Sequence, residues 1–140
     1  MLKKILAPTD FSALSGEGVR YACQLAKDVG AQVIVMNVII LDETNTTTKG
    51  EIDEHKARLA EFITKAVPNH GADVNLREVV VVGQPYNAIV DCAEEEKVDL
   101  VVMSSHGRSG LSRMLIGSVT DRLLRAAKCP VLVVPSHGKN

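Results

Sequence analysis

Between Met103 and Thr120 the chain gathers Ser104, Gly107, Gly117, Ser118 and Thr120 around a loop that follows an apolar run and precedes a helical pattern. Small residues let a backbone come close to a phosphate, and the first N–H groups of a helix, with its dipole, favour an anion. The spacing is not a Walker A loop, because no Lys follows the last Gly, and it is not G-x-G-x-x-G. By residue type alone it reads either as a phosphate site or as an ordinary βα connection with turn glycines. The hydroxyls of Ser118 and Thr120 can donate to phosphate oxygens, or serve the helix end with no ligand present. Arg108 and Arg113 lie in the loop and can pair with a phosphate or stand solvated. His106 has no second His or Cys at ligand spacing, so a metal site is not indicated. Asp10 follows the first apolar run and can accept from ribose hydroxyls or cap the first helix. No Ser-His-Asp arrangement, carboxylate pair or activated Cys is visible, so nothing obvious would hydrolyse a nucleotide fast.

Five short strand patterns alternating with four helical ones must carry these residues. The strands are read at Lys4 to Ala7, Gln32 to Ile40, Leu76 to Val82, Leu100 to Met103 and Val131 to Val134. Gln32 to Ile40 is nearly all apolar, the mark of a strand covered on both faces. A first helix is read from Ser12 to Val29, with Leu14, Val19, Ala22, Cys23, Ala26 and Val29 on one face. Ser12 or Ser15 can cap its start, and Gly30 suits its end. Leu41 to Lys49 is polar and Thr-rich and reads as a mobile surface loop. A second helix is expected from Gly50 to Val67, ended by Pro68, and a third from Pro85 to about Lys97. The fourth spans Ser118 to Ala127, through Val119, Leu123, Leu124 and Ala127.

Strand–helix alternation requires right-handed crossovers and a parallel sheet. Ligands of open α/β sheets sit beyond the carboxyl ends of strands, where the strand order reverses. Pro8-Thr9-Asp10 and the loop after Met103 can share one ligand only if the first and fourth strands are neighbours. The expected fold is therefore an open five-stranded parallel sheet, order 3-2-1-4-5, with helices on both faces, in one domain over residues 1–140. At its end, Cys129-Pro130-Val131-Leu132-Val133-Val134-Pro135 is a β segment between prolines, as suits an edge strand. Such an edge can pair with itself in a symmetric dimer, or be protected by its shortness.

Composition narrows the partners. A net charge of −1, with both signs interspersed, offers no basic face for nucleic acid or a membrane surface. Two Phe, two Tyr and no Trp leave little for base stacking. No apolar run approaches a membrane span, and no signal-peptide pattern opens the chain, so a cytoplasmic location is expected. The three cysteines are far apart and read as reduced packing residues.

Together these residues resemble the universal stress protein family over nearly the whole chain. Lys3 to Ser12 looks like that family's first strand and turn. Its nucleotide loop is written G-x-x-G, nine residues, then G with Ser or Thr, and Gly107, nine intervening residues, Gly117 and Ser118 fit. The ending from Cys129 to Pro135 is also similar. Ser104 stands where the pattern has its first Gly. A positive φ there would cost Ser about 1 kcal/mol, whereas close approach alone tolerates it.

The resemblance implies an adenine nucleotide α-hydrolase-like fold and a homodimer through Val131, Leu132, Val133 and Val134. It implies ATP or another adenine nucleotide as ligand, with Mg²⁺ bridging phosphates. Asp10 would hold the ribose, and the Val38 backbone would meet the adenine, with Pro8 and Thr9 lining the pocket. Met103, Ser104, His106, Gly107, Arg108, Gly117, Ser118, Val119 and Thr120 would surround ribose and phosphates. The implied role is stress survival through ATP-dependent sensing. A slow ATPase, a nucleotidyl transferase, an AMP or cAMP binder and a nucleotide-free interaction protein are the alternatives.

Overall fold

Strand and helix alternate along the chain: β1 (Lys4–Pro8), α1 (Ala13–Val29), β2 (Gln32–Ile40), α2 (Lys49–Ala66), β3 (Asn75–Gly83), α3 (Pro85–Glu95), β4 (Leu100–Ser104), α4 (Ser118–Ala126) and β5 (Val131–Val134). The computed structural model describes residues 1–41, 44, 46–69, 73–105 and 117–135. All five strands are parallel, in the order β3-β2-β1-β4-β5. That is the expected order, and it leaves β5 at an edge. Of the Thr-rich stretch expected to be a loop, positions 42, 43 and 45 lie outside the described residues, and Lys49 already belongs to α2.

Local chemistry sets the helix ends. The Ser12 side chain accepts from Ser15 N at 3.1 Å, and Gly30 closes α1 in the left-handed conformation, φ 73°. Thr48 accepts from Glu51 N at 3.1 Å to start α2, and Pro85 opens α3, where its missing N–H loses nothing.

β2 explains its own sequence. Val33 and Val35 join one core with Val19, Ala22, Leu59 and Ile63 from α1 and α2. Ile34 and Met36 join the opposite core with Ile89 and Leu123 from α3 and α4. A strand covered on both faces has no solvent side to mark with polar residues. Two expected core positions are instead on the surface. Val29, the last residue of α1, is 46% exposed, and Leu124 is 45% exposed. Leu124 follows Val119 by five positions, about 140° round the helix, and so leaves the buried stripe.

At the amino ends of the strands, Asp99 Oδ2 accepts from Lys3 N at 2.8 Å and Lys4 N at 3.0 Å. These backbone bonds, Lys3 first, hold its carboxyl below the usual carboxylate range. The three cysteines are free thiols, and burial pushes Cys23 up to about 11, as suits a packing residue. Among the described residues no helix is long and apolar enough to cross a membrane.

One glycine sets how closely α1 lies on the sheet. A Cβ on Gly18 would stand 3.3 Å from Ser104 N and 3.5 Å from the Met103 carbonyl carbon. Gly in a helix interior loses about 1 kcal/mol relative to Ala, so close approach must repay that loss. Gly18→Ala should be near neutral, because the helix gain offsets a tight contact. Gly18→Leu should destabilise by about 2 kcal/mol through overpacking against backbone that cannot yield. Urea denaturation measures both, and a Leu variant as stable as the parent would show that α1 and β4 are not in contact here.

Candidate functional site

The carboxyl ends of β1, β2 and β4 and the amino end of α4 surround one cavity of about 410 Å³. This is the crevice where the chain leaves β1 for one side of the sheet and β4 for the other. Pro8, Thr9 and Asp10 line it from β1, and Val38 lines it from β2. Met103 and Ser104 come from β4, and Gly117, Ser118, Val119 and Thr120 from the start of α4. So ten of the residues expected at a ligand site meet in one place. His106, Gly107 and Arg108, with Arg113, lie outside the described residues.

Each segment is fixed by its own bonds. Thr9 is buried; its N–H donates to Met36 O at 2.8 Å, tying the end of β1 to β2. Ser15 Oγ donates to Ser12 O at 2.8 Å, so the 2.6 Å contact between Thr9 and Ser15 has the Thr9 hydroxyl as donor. Thr9 Oγ1 in turn accepts from Phe11 N at 3.0 Å. Asp10 Oδ1 accepts from Ser12 N at 3.0 Å. Asp10 thus does orient the start of α1, the plainer of its two expected roles, while also lining the cavity.

Phe11 takes φ 70°, a left-handed conformation rare for a bulky residue. Its ring packs 5.9 Å from His55 and 5.9 Å from Phe62, and the Arg58 guanidinium lies 4.4 Å above it. Those contacts and the Thr9 bond hold the turn that presents Asp10.

At α4, Gly117 is the N-cap, and its N–H donates to Ser105 O at 2.6 Å. Among the described residues no side chain caps this end. The N–H groups of Ser118, Val119 and Thr120 are first-turn donors that an α-helix cannot satisfy internally, and all three residues line the cavity. The Thr120 hydroxyl, expected to serve either a phosphate or its own helix end, is tied to β4 in this structure. It is buried and donates to Ser104 O at 3.0 Å. It fastens α4 to β4, so its single proton is not available to a ligand. Ser104 ends β4 in extended backbone, so the strain that a positive φ would impose at this position does not arise.

Sequence reasoning missed Asn37 and His55, both of which line the cavity. Asn37 is buried in β2; its Nδ2 donates to Thr9 O at 3.0 Å, and its Oδ1 pairs with His55 Nδ1 at 2.9 Å. The signal was present. Asn37 is the one polar residue inside the apolar run from Val33 to Ile40, and a buried amide demands partners. His55 gave no such sign, since an α2 histidine among charged residues reads as solvated.

An open parallel sheet with a cavity at its switch point, walled by the start of α4, defines a doubly wound α/β protein. The model of the universal stress protein family matches residues 1–135, and the chain belongs to that family. It is 34% identical to universal stress protein MJ0531 of Methanocaldococcus jannaschii, over 99% of this chain and 85% of that protein. The solved structure of MJ0577, a universal stress protein of the same organism, is 32% identical, with 99% of each chain covered and a TM-score of 0.81. A universal stress protein solved in complex with cAMP is 25% identical, over 96% of this chain and 98% of that one, with a TM-score of 0.75.

Proposed function

We propose that the cleft holds an adenine nucleotide, ATP before AMP or cAMP, and that the protein is a cytoplasmic sensor in stress survival rather than a fast enzyme. The observation that carries this is the meeting of Asp10, Val38 and the open N-terminus of α4 around one cavity. A carboxylate for ribose hydroxyls, a strand end for a base and helix N–H groups for phosphates are what a nucleotide needs, in one place. The cavity lies within the usual range for small-molecule pockets, about 300–1,000 Å³. Gly117, Ser118 and Val119 would meet the phosphates through their backbone, with Mg²⁺ held mainly by the phosphates themselves. The relative solved with cAMP supports an adenine ligand and gives the cyclic nucleotide its place as second reading. Mass spectrometry of small molecules released on denaturing the purified protein tests this. ATP is the expected species; cAMP or AMP alone would move the assignment to those ligands, and failure to bind any of the three on titration would overturn it.

Slow turnover is part of the same proposal. Fast phosphoryl transfer needs a positioned base or water and charge stabilisation at the transferred group. Asp10 is the one acid lining the cavity among the described residues, and its Oδ1 is engaged by Ser12 N. Single-turnover hydrolysis of ATP with Mg²⁺ should run slower than roughly one event per minute, far below typical enzymes. A rate near one per second, abolished by Asp10→Asn, would make Asp10 a catalytic base and the protein an ATPase.

A further inference from the structure

We infer that His55 reads the nucleoside part of the ligand, by accepting a hydrogen bond at Nε2 from a ribose hydroxyl or the base amino group. This rests on the nucleotide reading of the cleft. The Thr9 carbonyl can only accept. Asn37 must therefore turn its amide nitrogen to Thr9 O, at 3.0 Å, and its Oδ1 to the imidazole. An amide oxygen only accepts, so His55 Nδ1, 2.9 Å away, carries the proton. The tautomer is thereby fixed from β1 through β2 to α2. In the neutral ring Nε2 is then a lone-pair acceptor, and among the described residues nothing pairs with it. The Phe11 ring beside it, 5.9 Å between centroids, limits how the imidazole can turn. His55 lines the same cavity as Val38 and Asp10. A ring so placed, with one nitrogen used and the other an acceptor, is matched to a neutral donor rather than to a phosphate oxygen. Nucleosides offer such donors at the ribose hydroxyls and the exocyclic amine.

The test compares the parent with His55→Phe, which keeps an aromatic ring against Phe11 but removes both nitrogens. Affinities are measured by calorimetry for ATP, 2′-deoxy-ATP, 3′-deoxy-ATP and inosine triphosphate, which lacks the amino group. The variant should bind ATP about five- to tenfold more weakly, the loss of one neutral hydrogen bond. For one analogue, the one lacking the donor that His55 reads, the ratio of parent to variant should fall to about one, as in a double-mutant cycle. That analogue distinguishes ribose from base. An equal loss for all four ligands would make His55 a structural residue only, and an unchanged ATP affinity would remove it from the site; either overturns the inference. Should the Phe variant not fold, His55→Met is read in the same way. If the parent itself binds none of the four, the nucleotide reading falls and this inference with it. If the parent binds ATP and the ratios do not separate, only this inference falls.

Discussion

Gly117→Asp is expected to weaken nucleotide binding by about 100-fold or more while leaving the fold intact. Gly117 has φ −59° and ψ 150°, backbone that any residue adopts, so the substitution brings no conformational strain. Asp is also among the preferred N-cap residues, and its carboxylate would accept from the first-turn N–H groups of α4. The thermal midpoint should therefore hold or rise slightly. The carboxylate would meanwhile sit where the phosphates are proposed to sit. At about 5 Å and an effective dielectric near 20, two like charges repel by about 3 kcal/mol, roughly 150-fold. Stability and affinity move in opposite directions, which separates this outcome from simple damage to the fold. Calorimetry with ATP beside a thermal melt reads both. Undiminished binding would place the phosphates elsewhere.

We propose that the chain forms a symmetric dimer through β5, and Val133→Glu is expected to convert it into monomers. The proposed interface is β5, whose outer edge carries backbone groups with no strand beyond them in the sheet. Leu132 and Val134 point into one core and Val131 into the other, while Val133 is assigned to neither. A charge at Val133 should therefore spare the subunit and act on a symmetric contact, where the same carboxylate is introduced twice. Burying an ion without a partner costs several kcal/mol, enough to dissociate a micromolar dimer. Light scattering during gel filtration decides it; a parent already monomeric at micromolar concentration would end the proposal.

How much could be read from residues alone depended on how local the cause was. Each described strand and helix lies within a residue or two of its expected place, because hydrophobic runs, Ser12, Gly30 and Pro85 act on their own neighbourhoods. Strand order required one further step, that two polar loops share a ligand. The register of the strands followed only from the structure, in which Ile5 pairs with both Val33 and Leu100. What stayed hidden was tertiary. Nothing near Gly18 announces that Ser104 backbone will pack upon it. The Thr120 hydroxyl reads as a ligand donor or as a group serving its own helix end, and its acceptor 3.0 Å away, Ser104 O, lies on another element. His55 joined the cleft only because Asn37, on another element, faces it.

The place of β1 in the sheet also bears on how the chain reaches its folded state. The first strand to be made lies at the middle, between a partner that follows soon after and one that arrives far later, with Asp99 and Lys4 bonded across 95 positions. During synthesis, β1, β2 and β3 can assemble with α1 and α2 as a local unit. One edge of β1 then waits for β4, exposed to the mispairing that open strand edges invite. Long-range parallel pairing is slow because loop closure precedes its reward. The cleft draws on both halves, so it exists only once β4 and α4 have docked. A ligand that needs both halves would bind only the assembled sheet, and so would favour the docked state by mass action.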